Sequence, residues 1–534
     1  MSKHIRTQIF SALSLPEGQQ HRVELYSQDP DNDVYVISND CGTQYMVCSV
    51  VTRSGYSGDN QLRTVLTALP TVSIGVQLDQ MGMVTKFLRK SFRTRDFDYI
   101  ASIESSAILA SAHRIEPLGL RPLSGKLENV LFEVHSAFRD IDGLHASEAL
   151  DEICKLIYAK LYDEENSLKS GKLVFQRQVY TSVEECAAEI RGLYLKAIDD
   201  DKAIFTNRIP AYERSRGVFR DPLLLSSPAV VRAVELLQHY DISSSPVDIK
   251  GRAFQNVLLP AVRSGMGQYF TPKEVIDFVV SVMRPNVREL IIDPFCGSGH
   301  FLTSAIDYVR RDYAKADKIF HEFSFTRLHG IEKSDRMVRI AMTDMRLHGD
   351  GHSNIRCIDS LLPFENYSDL YRETFDLVMT NPPFGVNLTP SSLLQLGPFS
   401  LASSSRSSVS LEIVALERCL QLLRPGGRLA IVLPDGVLSN RKTGSVREWV
   451  RGQAKVKAVF SLPVETFSPF GATIKTSILV LRKLAAGEVD EGDYNIFLAE
   501  IQCVGYDAVG RTASGNDLEE VACKFRAFID KEGW

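Results

Sequence analysis

The sequence lacks the cysteine pattern of secreted and zinc-binding proteins. Its nine cysteines are odd in number and scattered, and no two of them form a Cys-x-x-Cys pair. Disulfide frameworks and structural zinc sites both depend on paired, regularly spaced cysteines. This absence argues against both classes, predicts no metal site and favours a reducing, cytoplasmic environment.

Long apolar runs and an excess of positive charge are also missing. No apolar run reaches the length of about 18 residues that a membrane span needs, and the N-terminal stretch MSKHIRTQIFSAL has too short an apolar run for a signal peptide. We therefore expect no membrane partner. With 61 basic and 66 acidic residues the formal net charge is −5, so a nucleic-acid partner has to meet a local basic patch or a second subunit.

Three regions of different pattern follow one another along the 534 residues, a length that exceeds one hydrophobic core. Residues 1–115 contain strand-like stretches and predict a small mixed α/β domain. Residues 116–265 place apolar side chains at spacings of three and four, which predicts a helical domain. Residues 266–534 alternate strands with helices, which predicts an α/β fold with a doubly wound, mostly parallel sheet. A Ser/Leu-rich stretch at 390–410 is typical of a long functional loop.

Four predicted strands of the last region end in polar or glycine-rich clusters. These clusters are Asp293–Gly299, Glu332, Asp359 and Asn381. In a doubly wound sheet, ligands bind outside the carboxyl ends of the strands. The four clusters therefore predict one binding pocket along that edge of the sheet.

The first three clusters indicate the chemistry of a cofactor. Gly297 and Gly299 permit a sharp turn and a close approach of backbone amides to a ligand, although tight packing alone also explains them. The turn is not a G-x-G-x-x-G fingerprint, no Lys-Ser/Thr follows it, and Asp293 disfavours phosphate. Glu332 is placed to hold ribose hydroxyls and Asp359 to accept from an adenine amino group, unless each only caps the end of its strand. Taken together, the set predicts S-adenosylmethionine.

The fourth cluster combines Asn381, Pro382, Pro383 and Phe384 at the end of a buried strand. The lone pair of an exocyclic amino group is conjugated into its base, so attack on a methyl group needs acceptors on both amino hydrogens. The Asn381 side-chain oxygen and the Pro382 carbonyl can supply them on a corner that two prolines make rigid, and Phe384 offers a stacking ring. A base reaches such a site only when it is flipped out of the duplex. The alternative is a simple strand-ending turn.

Six motifs stand in one order along the chain, and this order carries a family resemblance. They are GQYFTP (267–272), DPFCGSGHF (293–301), GIEK (330–333), TNPPFG (380–385), RPGGRLAIVLP (424–434) and KTSILVLRK (475–483). The series resembles that of N6-adenine DNA methyltransferases, and most closely the modification subunit of type I restriction–modification systems. The resemblance runs from residue 120 to the end. It implies a Rossmann-like methyltransferase sheet, double-stranded DNA as substrate and adenine-N6 methylation as the reaction.

The resemblance also implies roles for individual residues. Together with Asp359, the expected cofactor-binding residues are Gln268, Tyr269, Phe270, Thr271, Pro272, Asp293, Phe295, Gly297, Ser298, Gly299 and Glu332. Phe270 is expected near the methionine part of the cofactor. The residues expected to carry methyl transfer are Asn381, Pro382, Pro383 and Phe384.

The chain departs from the family pattern at both ends. It ends soon after AEIQCVGYDAVGR without a target-recognition domain, which predicts a separate specificity subunit and leaves a restriction subunit possible. Residues 1–115 resemble the nuclease-like domain of type I restriction subunits, in which an acid and an E-x-K motif hold magnesium. Asp33 fits the acid, but Ser49 and Val51 stand in place of E-x-K, so we expect no cleavage. A novel α/β module is the alternative for this region.

Other functions also fit the sequence. The chain could sense cofactor or DNA within a defence complex and rarely methylate, although the intact NPPF stretch argues against this. It could also methylate protein or RNA, since protein glutamine methyltransferases carry a similar NPPY stretch. Cytosine-N4 methylation shares the chemistry, but serine in the first position is more typical of that class.

Overall fold

The computed structural model covers the chain with several gaps. It describes residues 9, 21–29, 32–39, 44–51, 59–69, 72, 74–81, 83–90, 97–100, 120–122, 127–170, 173–177, 179–208, 222–243, 245, 250, 251, 253–255, 271–312, 318–349, 354–367, 369–403, 408–489 and 492–534. Within these ranges the helices are all too short or too polar to cross a membrane.

The chain forms two compact units. The first unit comprises residues 1–144, 158–197 and 223–246, and the second comprises residues 145–157, 198–222 and 247–534. The division into domains at 1–115, 116–265 and 266–534 stays a prediction.

A six-stranded sheet with one helix forms the N-terminal part of the first unit. The strand order is β1-β2-β3-β4-β5-β6, and the elements are β1 (His21–Asp29), β2 (Asn32–Asn39), β3 (Gln44–Val51), α1 (Asp59–Ala68), β4 (Ile74–Leu78), β5 (Val84–Lys90) and β6 (Phe97–Ile100). Only β3 and β4 are parallel, because α1 carries the chain back between them. Leu62 and Leu66 of α1 pack against Val34, Val36 and Val47 on one face of the sheet.

Three neutral polar side chains are linked by hydrogen bonds on the face of the sheet that α1 covers. The Ser49 hydroxyl donates to Asn32 Oδ1 at 2.8 Å, and Asn32 Nδ2 donates to Gln61 Oε1 at 2.8 Å. Asp33 points to the other face, where its carboxylate accepts from the Tyr35 hydroxyl at 3.3 Å. Because successive strand residues point to opposite faces, Asn32 is the β2 residue beside Ser49. Asp33 therefore does not share a face of the sheet with Ser49, which corrects the expectation that it supplies the acid of an acid and E-x-K site.

Long helices follow, as the apolar spacing of this region predicts. The elements are β7 (Arg121–Pro122), α2 (Leu127–Asp142), α3 (Ala146–Ser170), α4 (Val183–Arg208), α5 (Ser227–Leu237) and β8 (Tyr240–Asp241). Two buried acids of α3 accept from backbone amides: Asp163 from Phe175 at 2.7 Å and Glu164 from Ser243 at 2.7 Å. These carboxylates hold the connections between helices.

An eight-stranded sheet is the centre of the second unit. Its order is β11-β10-β9-β12-β15-β17-β16-β18, and the strands are β9 (Ile291–Asp293), β10 (Leu328–Glu332), β11 (Ile355–Cys357), β12 (Phe375–Thr380), β15 (Leu423–Pro434), β16 (Ala454–Ser461), β17 (Thr476–Lys483) and β18 (Phe497–Glu500). Every neighbouring pair is parallel except the two that β17 makes. The mostly parallel, doubly wound sheet that the alternation predicts is confirmed.

The strand order reverses at β9. Strands β10 and β11 lie on one side of β9, and β12 lies on the other side. A crevice opens at such a switch point, outside the carboxyl ends of the strands. The ends of β9 and β12 therefore face the same crevice.

Helices cover the sheet and short elements line its carboxyl edge. The helices are α6 (Lys273–Met283), α7 (His300–Arg310), α8 (Lys318–Glu322), α9 (Asp335–Leu347), α10 (Pro390–Leu393), α11 (Ser400–Ser403), α12 (Leu411–Leu422), α13 (Asp435–Ser439), α14 (Gly444–Arg451) and α15 (Leu518–Glu532). Two small ribbons pair β13 (Asn387–Leu388) with β14 (Val409–Ser410), and β19 (Val504–Tyr506) with β20 (Thr512–Asn516). A π-helical turn spans Phe323–Arg327 before β10. Four 3₁₀ turns are also described: Phe364–Asn366, Arg441–Thr443, Val464–Thr466 and Ser468–Phe470.

Candidate functional site

A cavity of about 950 Å³ opens at the carboxyl edge of the eight-stranded sheet. It brings together the four clusters that the sequence singles out. Its lining includes Phe295, Gly297, Glu332, Asp359, Asn381, Pro382, Pro383 and Phe384. A smaller cavity of about 50 Å³ shares Phe295, Gly297 and Asn381 and adds Thr271, Asp293 and Ser298.

The glycine turn between β9 and α7 has the geometry that only glycine adopts easily. Gly297 has φ +52° and Gly299 has φ +82°, in the left-handed region that is strained for other residues. A Cβ on Gly299 would also lie 3.2 Å from the Cβ of Ala341. The Gly297 amide donates to Glu332 Oε2 at 3.1 Å, so the turn and the end of β10 form one wall of the cavity.

Asp293 is a buried acid at the end of β9, and it lines the smaller cavity. Its Oδ1 accepts from the Thr380 hydroxyl at 2.6 Å and from the Phe295 amide at 3.0 Å. Burial raises the pKa of the Asp293 carboxyl to about 7, and nearby Glu332 adds to the rise while the two hydrogen bonds oppose it. Asp293 can therefore hold or release a proton near neutral pH when a cation approaches.

Two further acids complete this side of the cavity. Glu332 Oε1 accepts from the Ser334 amide at 2.8 Å, and burial raises the pKa of Glu332 against several backbone hydrogen bonds. Asp359 Oδ1 accepts from the Leu361 amide at 3.0 Å, and Oδ2 pairs with the exposed Lys333 ammonium at 3.0 Å. Lys333 is the only basic side chain among the described residues that line the larger cavity, and its pairing leaves no free cation for a phosphate group.

The Asn381 amide is fixed by a residue 110 positions earlier. Its Nδ2 donates to the Thr271 hydroxyl at 2.8 Å, which directs Oδ1 away from this contact. That oxygen is buried and has no hydrogen-bond partner among the residues that the structure describes. A buried acceptor without a partner costs about 1–3 kcal/mol, so the site presents an acceptor that a ligand's N–H group can satisfy.

Phe467 is a residue that the sequence analysis missed. It is fully buried between the 3₁₀ turns Val464–Thr466 and Ser468–Phe470, and its ring meets that of Phe384 edge to face with centroids 6.2 Å apart. The Tyr506 hydroxyl supports the turn by donating to the Thr466 carbonyl at 2.8 Å. An aromatic residue just before the KTSILV strand was the available signal, but its partner ring lies 83 positions away.

Three predicted cofactor residues, Gln268, Tyr269 and Phe270, lie outside the described residues. Thr271 and Pro272 of the same motif are described, and Pro272 immediately precedes α6. Ser298 is buried within the glycine turn. The structure thus brings the described site residues to one edge of the sheet.

Residues 386–403 and 408–411, which we name the wall segment, contribute several side chains to the lining of the larger cavity. They are not one long loop, as the sequence predicts, but include α10, α11 and the β13–β14 ribbon. Thr389 begins α10 by accepting from the Ser392 amide at 3.3 Å, and the Glu417 carboxylate accepts from the first amides of α11 at 2.7 and 2.9 Å. The capping acid of α11 lies on α12, so the local sequence gives no signal for it.

A buried carboxylate, Asp344 on α9, joins three segments behind the glycine turn. It accepts from Gln255 Nε2 at 3.2 Å and from the Thr303 hydroxyl at 3.4 Å, and its Oδ1 lies 3.3 Å from Nδ1 of His348. His300, the first residue of α7, has Nε2 at 3.9 Å from Asp344 Oδ2. The cluster anchors both α7 and the chain that leads into the GQYFTP motif.

The charges in this cluster depend on one another. Burial alone would raise the pKa of Asp344, but His348, His300 and the hydrogen bond from Gln255 together hold that pKa below its usual range. Burial alone would lower the pKa of His348, but contact with Asp344 raises it. At His300 burial dominates and lowers the pKa. The Asp344–His348 pair is therefore charged at about pH 6.

Replacing Asp344 with asparagine should lower the free energy of unfolding by about 3–5 kcal/mol, because His348 loses its buried partner. A histidine with a raised pKa stabilises the fold fully below about pH 6.5 and loses this effect as pH rises through its folded pKa. As pH rises above about 6.5, the melting temperature of the wild type should therefore fall more than that of His348→Gln, as measured by calorimetry. The exposed Asp312→Asn is the control, and equal losses in both aspartate variants would contradict a buried ion pair.

The fold and the site define a class of protein. Three features belong to a methyltransferase that acts on an amino group. They are a doubly wound sheet with carboxylates at the ends of β9, β10 and β11, a glycine turn with no free cation among the described lining residues, and a rigid Asn-Pro-Pro-Phe corner. The donor set fits S-adenosylmethionine, because acids can hold its amine and hydroxyl groups and no phosphate has to be bound.

Comparison with known proteins defines the family. Residues 250–532 match the N-6 DNA Methylase family, and the chain belongs to that family. It is an S-adenosylmethionine-dependent DNA methyltransferase of a restriction–modification type.

Two curated relatives and one solved structure illustrate the relationship. The EcoEI type I methylase subunit of Escherichia coli is 26% identical over 358 residues, which span 63% of this chain and 71% of that protein. The EcoKI methylase subunit of E. coli K12 is 28% identical over 236 residues, or 41% of each chain. A chain from a type I restriction–modification complex has the same fold with a TM-score of 0.57, 18% identity and coverage of 77% of this chain and 85% of that one.

Proposed function

We propose that this chain transfers the methyl group of S-adenosylmethionine to the N6 amino group of an adenine flipped out of duplex DNA. The observation that carries the proposal is the buried, unpartnered Oδ1 of Asn381 on the rigid corner. Its amide is locked by Thr271 with the acceptor directed away. A base amino group is the N–H donor that this acceptor lacks.

The chain's residues prepare the amino group for attack. Asn381 Oδ1 and the Pro382 carbonyl accept its two hydrogens, which withdraws the nitrogen lone pair from the base ring. Phe384, braced by the Phe467 ring, stacks on the base. S-adenosylmethionine, when bound, supplies an electrophilic methyl group. The proton that the nitrogen loses passes toward the acceptor oxygens and solvent.

The acids of the opposite wall hold the cofactor. Asp293 meets the positively charged amino group of the methionine part, since its carboxylate is buried and close to the glycine turn. Glu332 binds the ribose hydroxyls and Asp359 accepts from the adenine amino group. Thr271 and Pro272 continue the segment toward the methionine part, and the Gly297 amide borders the same space.

Adenine is favoured over cytosine because asparagine, rather than serine, stands first in the corner. We further infer that the chain is a modification subunit that acts in the cytoplasm with a separate specificity subunit and, in some assemblies, a restriction subunit. The net charge of −5 supports this inference, because a chain without a basic excess gains from a partner that binds DNA. Relatives that are methylase subunits of type I enzymes support it as well.

Tritiated S-adenosylmethionine gives the direct test. The purified chain is incubated with unmethylated duplex DNA, alone and with a specificity subunit encoded beside it, and the nucleosides are separated by chromatography. We expect label in N6-methyladenine when the specificity subunit is present. Label in N4-methylcytosine, in RNA or in protein would contradict the proposal, and cofactor binding without any labelled product would favour a sensing role instead.

We also infer that the N-terminal sheet does not cleave DNA. The buried Asn32 and Ser49 and the partly buried Gln61 of α1 are neutral and hydrogen-bond to one another. No group of metal-binding side chains comes together among the described residues. Metal-dependent hydrolysis needs carboxylates that hold the ion. Cleavage of plasmid DNA by the purified chain with Mg²⁺ or Mn²⁺ would refute this inference.

A further inference from the structure

The turn between α13 and α14, residues 440–443, lies at the edge of the sheet from which a DNA base has to enter. Strand β15 runs parallel to β12, with Ile431 opposite Thr380. Three residues further on, β15 ends at Pro434 and the chain continues into α13. Adjacent strands are about 4.8 Å apart, so α13, which leads into this turn, begins at the same edge as the end of β12, where the catalytic corner lies.

A network of hydrogen bonds makes the turn rigid. Asn440 Oδ1 accepts from the Lys442 amide at 3.0 Å, and the Thr443 hydroxyl donates to the Asn440 carbonyl at 2.8 Å. Arg447 Nη1 reaches back from α14 and donates to the Asn440 carbonyl at 2.8 Å and to the Thr443 hydroxyl oxygen at 2.9 Å. The backbone on both sides of Arg441 is therefore held in place.

The two side chains at the tip of the turn are cations without a counter-charge. Arg441 and Lys442 are exposed, and neither makes an ion pair with any described residue. Two other cations near this edge form ion pairs with acids. Lys333 pairs with Asp359 at 3.0 Å, and Lys475 pairs with Glu500 at 3.7 Å. In a chain with net charge −5, two adjacent free cations on a fixed turn have a specific electrostatic preference for an anionic partner.

We infer that Arg441 and Lys442 bind phosphates of the DNA strand that flanks the flipped base. The inference rests on DNA being the substrate, as proposed above. When a base enters the cavity, the duplex next to it crosses the carboxyl edge of the sheet, where these cations stand. Phosphate contacts of this kind set the position of the duplex and contribute affinity without reading its sequence.

The test is duplex binding by the full chain, followed by fluorescence anisotropy at about 0.05 to 0.2 M salt. The double variant R441Q/K442Q should bind roughly 10- to 60-fold more weakly at about 0.1 M salt, and its plot of log K against log salt should be shallower by about 1 to 2. Calorimetric binding of S-adenosylmethionine should be unchanged, because neither residue lines the cavity.

The control is R288Q/K531Q, which removes an equal charge at the opposite edge. Exposed Arg288 precedes β9. Lys531 is also exposed and lies 3.8 Å from the Glu532 carboxylate, next to Asp530, which pairs with Arg284 at 2.5 Å. This variant should bind DNA within about 2-fold of the wild type. Equal losses in both variants, no loss in R441Q/K442Q, or no duplex binding by the wild type at about 0.05 M salt would overturn the inference. If the wild type never methylates DNA but these binding differences hold, the proposed reaction fails and the phosphate contact stands.

Discussion

Alanine in place of Asn381 should reduce the rate of methyl transfer by about 100- to 10,000-fold while S-adenosylmethionine binds with little change. The side-chain oxygen meets the amino group most strongly as the nitrogen moves toward tetrahedral geometry, and loss of one such preorganised group typically has effects of this size. Single-turnover transfer of tritium to DNA measures the rate, and calorimetry measures the affinity.

Two substitutions of Thr271, which contacts Asn381, test the same idea with smaller expected effects on the transfer rate. Thr271→Ser keeps a hydroxyl that accepts from Asn381 Nδ2 and should retain most activity. Thr271→Val removes that acceptor, frees the amide to rotate and should lower the transfer rate by about 10-fold or more. Normal turnover by Asn381→Ala, or equal rates in the two Thr271 variants, would show that the corner does not orient the reacting amino group.

The affinity for S-adenosylmethionine should depend on pH through Asp293. Burial raises the pKa of this carboxyl to about 7, whereas a cationic ligand prefers the ionised form. Binding therefore releases a proton below about pH 7, and affinity should fall about 10-fold per pH unit there while it stays level above pH 7. Calorimetry in two buffers with different ionisation enthalpies measures both the affinity and the released proton.

The variant Asp293→Asn removes the negative charge of this side chain but keeps its size and shape. It should weaken cofactor binding about 10- to 100-fold at pH 8, because a charge-assisted hydrogen bond becomes a neutral one. It should also remove the pH dependence below about pH 7. Asn381→Ala is the matched control, since it should keep both the affinity and the pH dependence. Undiminished affinity in Asp293→Asn would mean that the amine of the cofactor binds elsewhere.

The order and type of many elements in the second unit follow from local sequence pattern, but the direction of one strand does not. The alternation of apolar strands with amphipathic helices predicts the parallel sheet and its doubly wound covering. Strand β17 is as apolar as its neighbours, yet it inserts antiparallel between β15 and β16. Its direction depends on how the 3₁₀ turns before it pack, which local pattern does not encode.

The site also has features that the local sequence predicts and features that it does not. The position of the site could be predicted, because strand ends meet at one edge of a parallel sheet. Four polar residues stand at or just after such ends: Asp293, Glu332, Asp359 and Asn381. The contacts that orient them could not be predicted, since the Asn381 bond spans 110 residues. The wall segment was expected as a loop because its capping acid, Glu417, belongs to a later helix.

The bond between Thr271 and Asn381 also bears on how this family can diverge. An amide presents either an oxygen or an NH₂ group to the cavity, and here the NH₂ group of Asn381 donates to the hydroxyl at position 271, which holds the side chain in one orientation. Positions 271 and 381 therefore do not vary independently. Homologues that keep asparagine in the corner should keep serine or threonine at 271, and a change at one position should be inherited together with a change at the other.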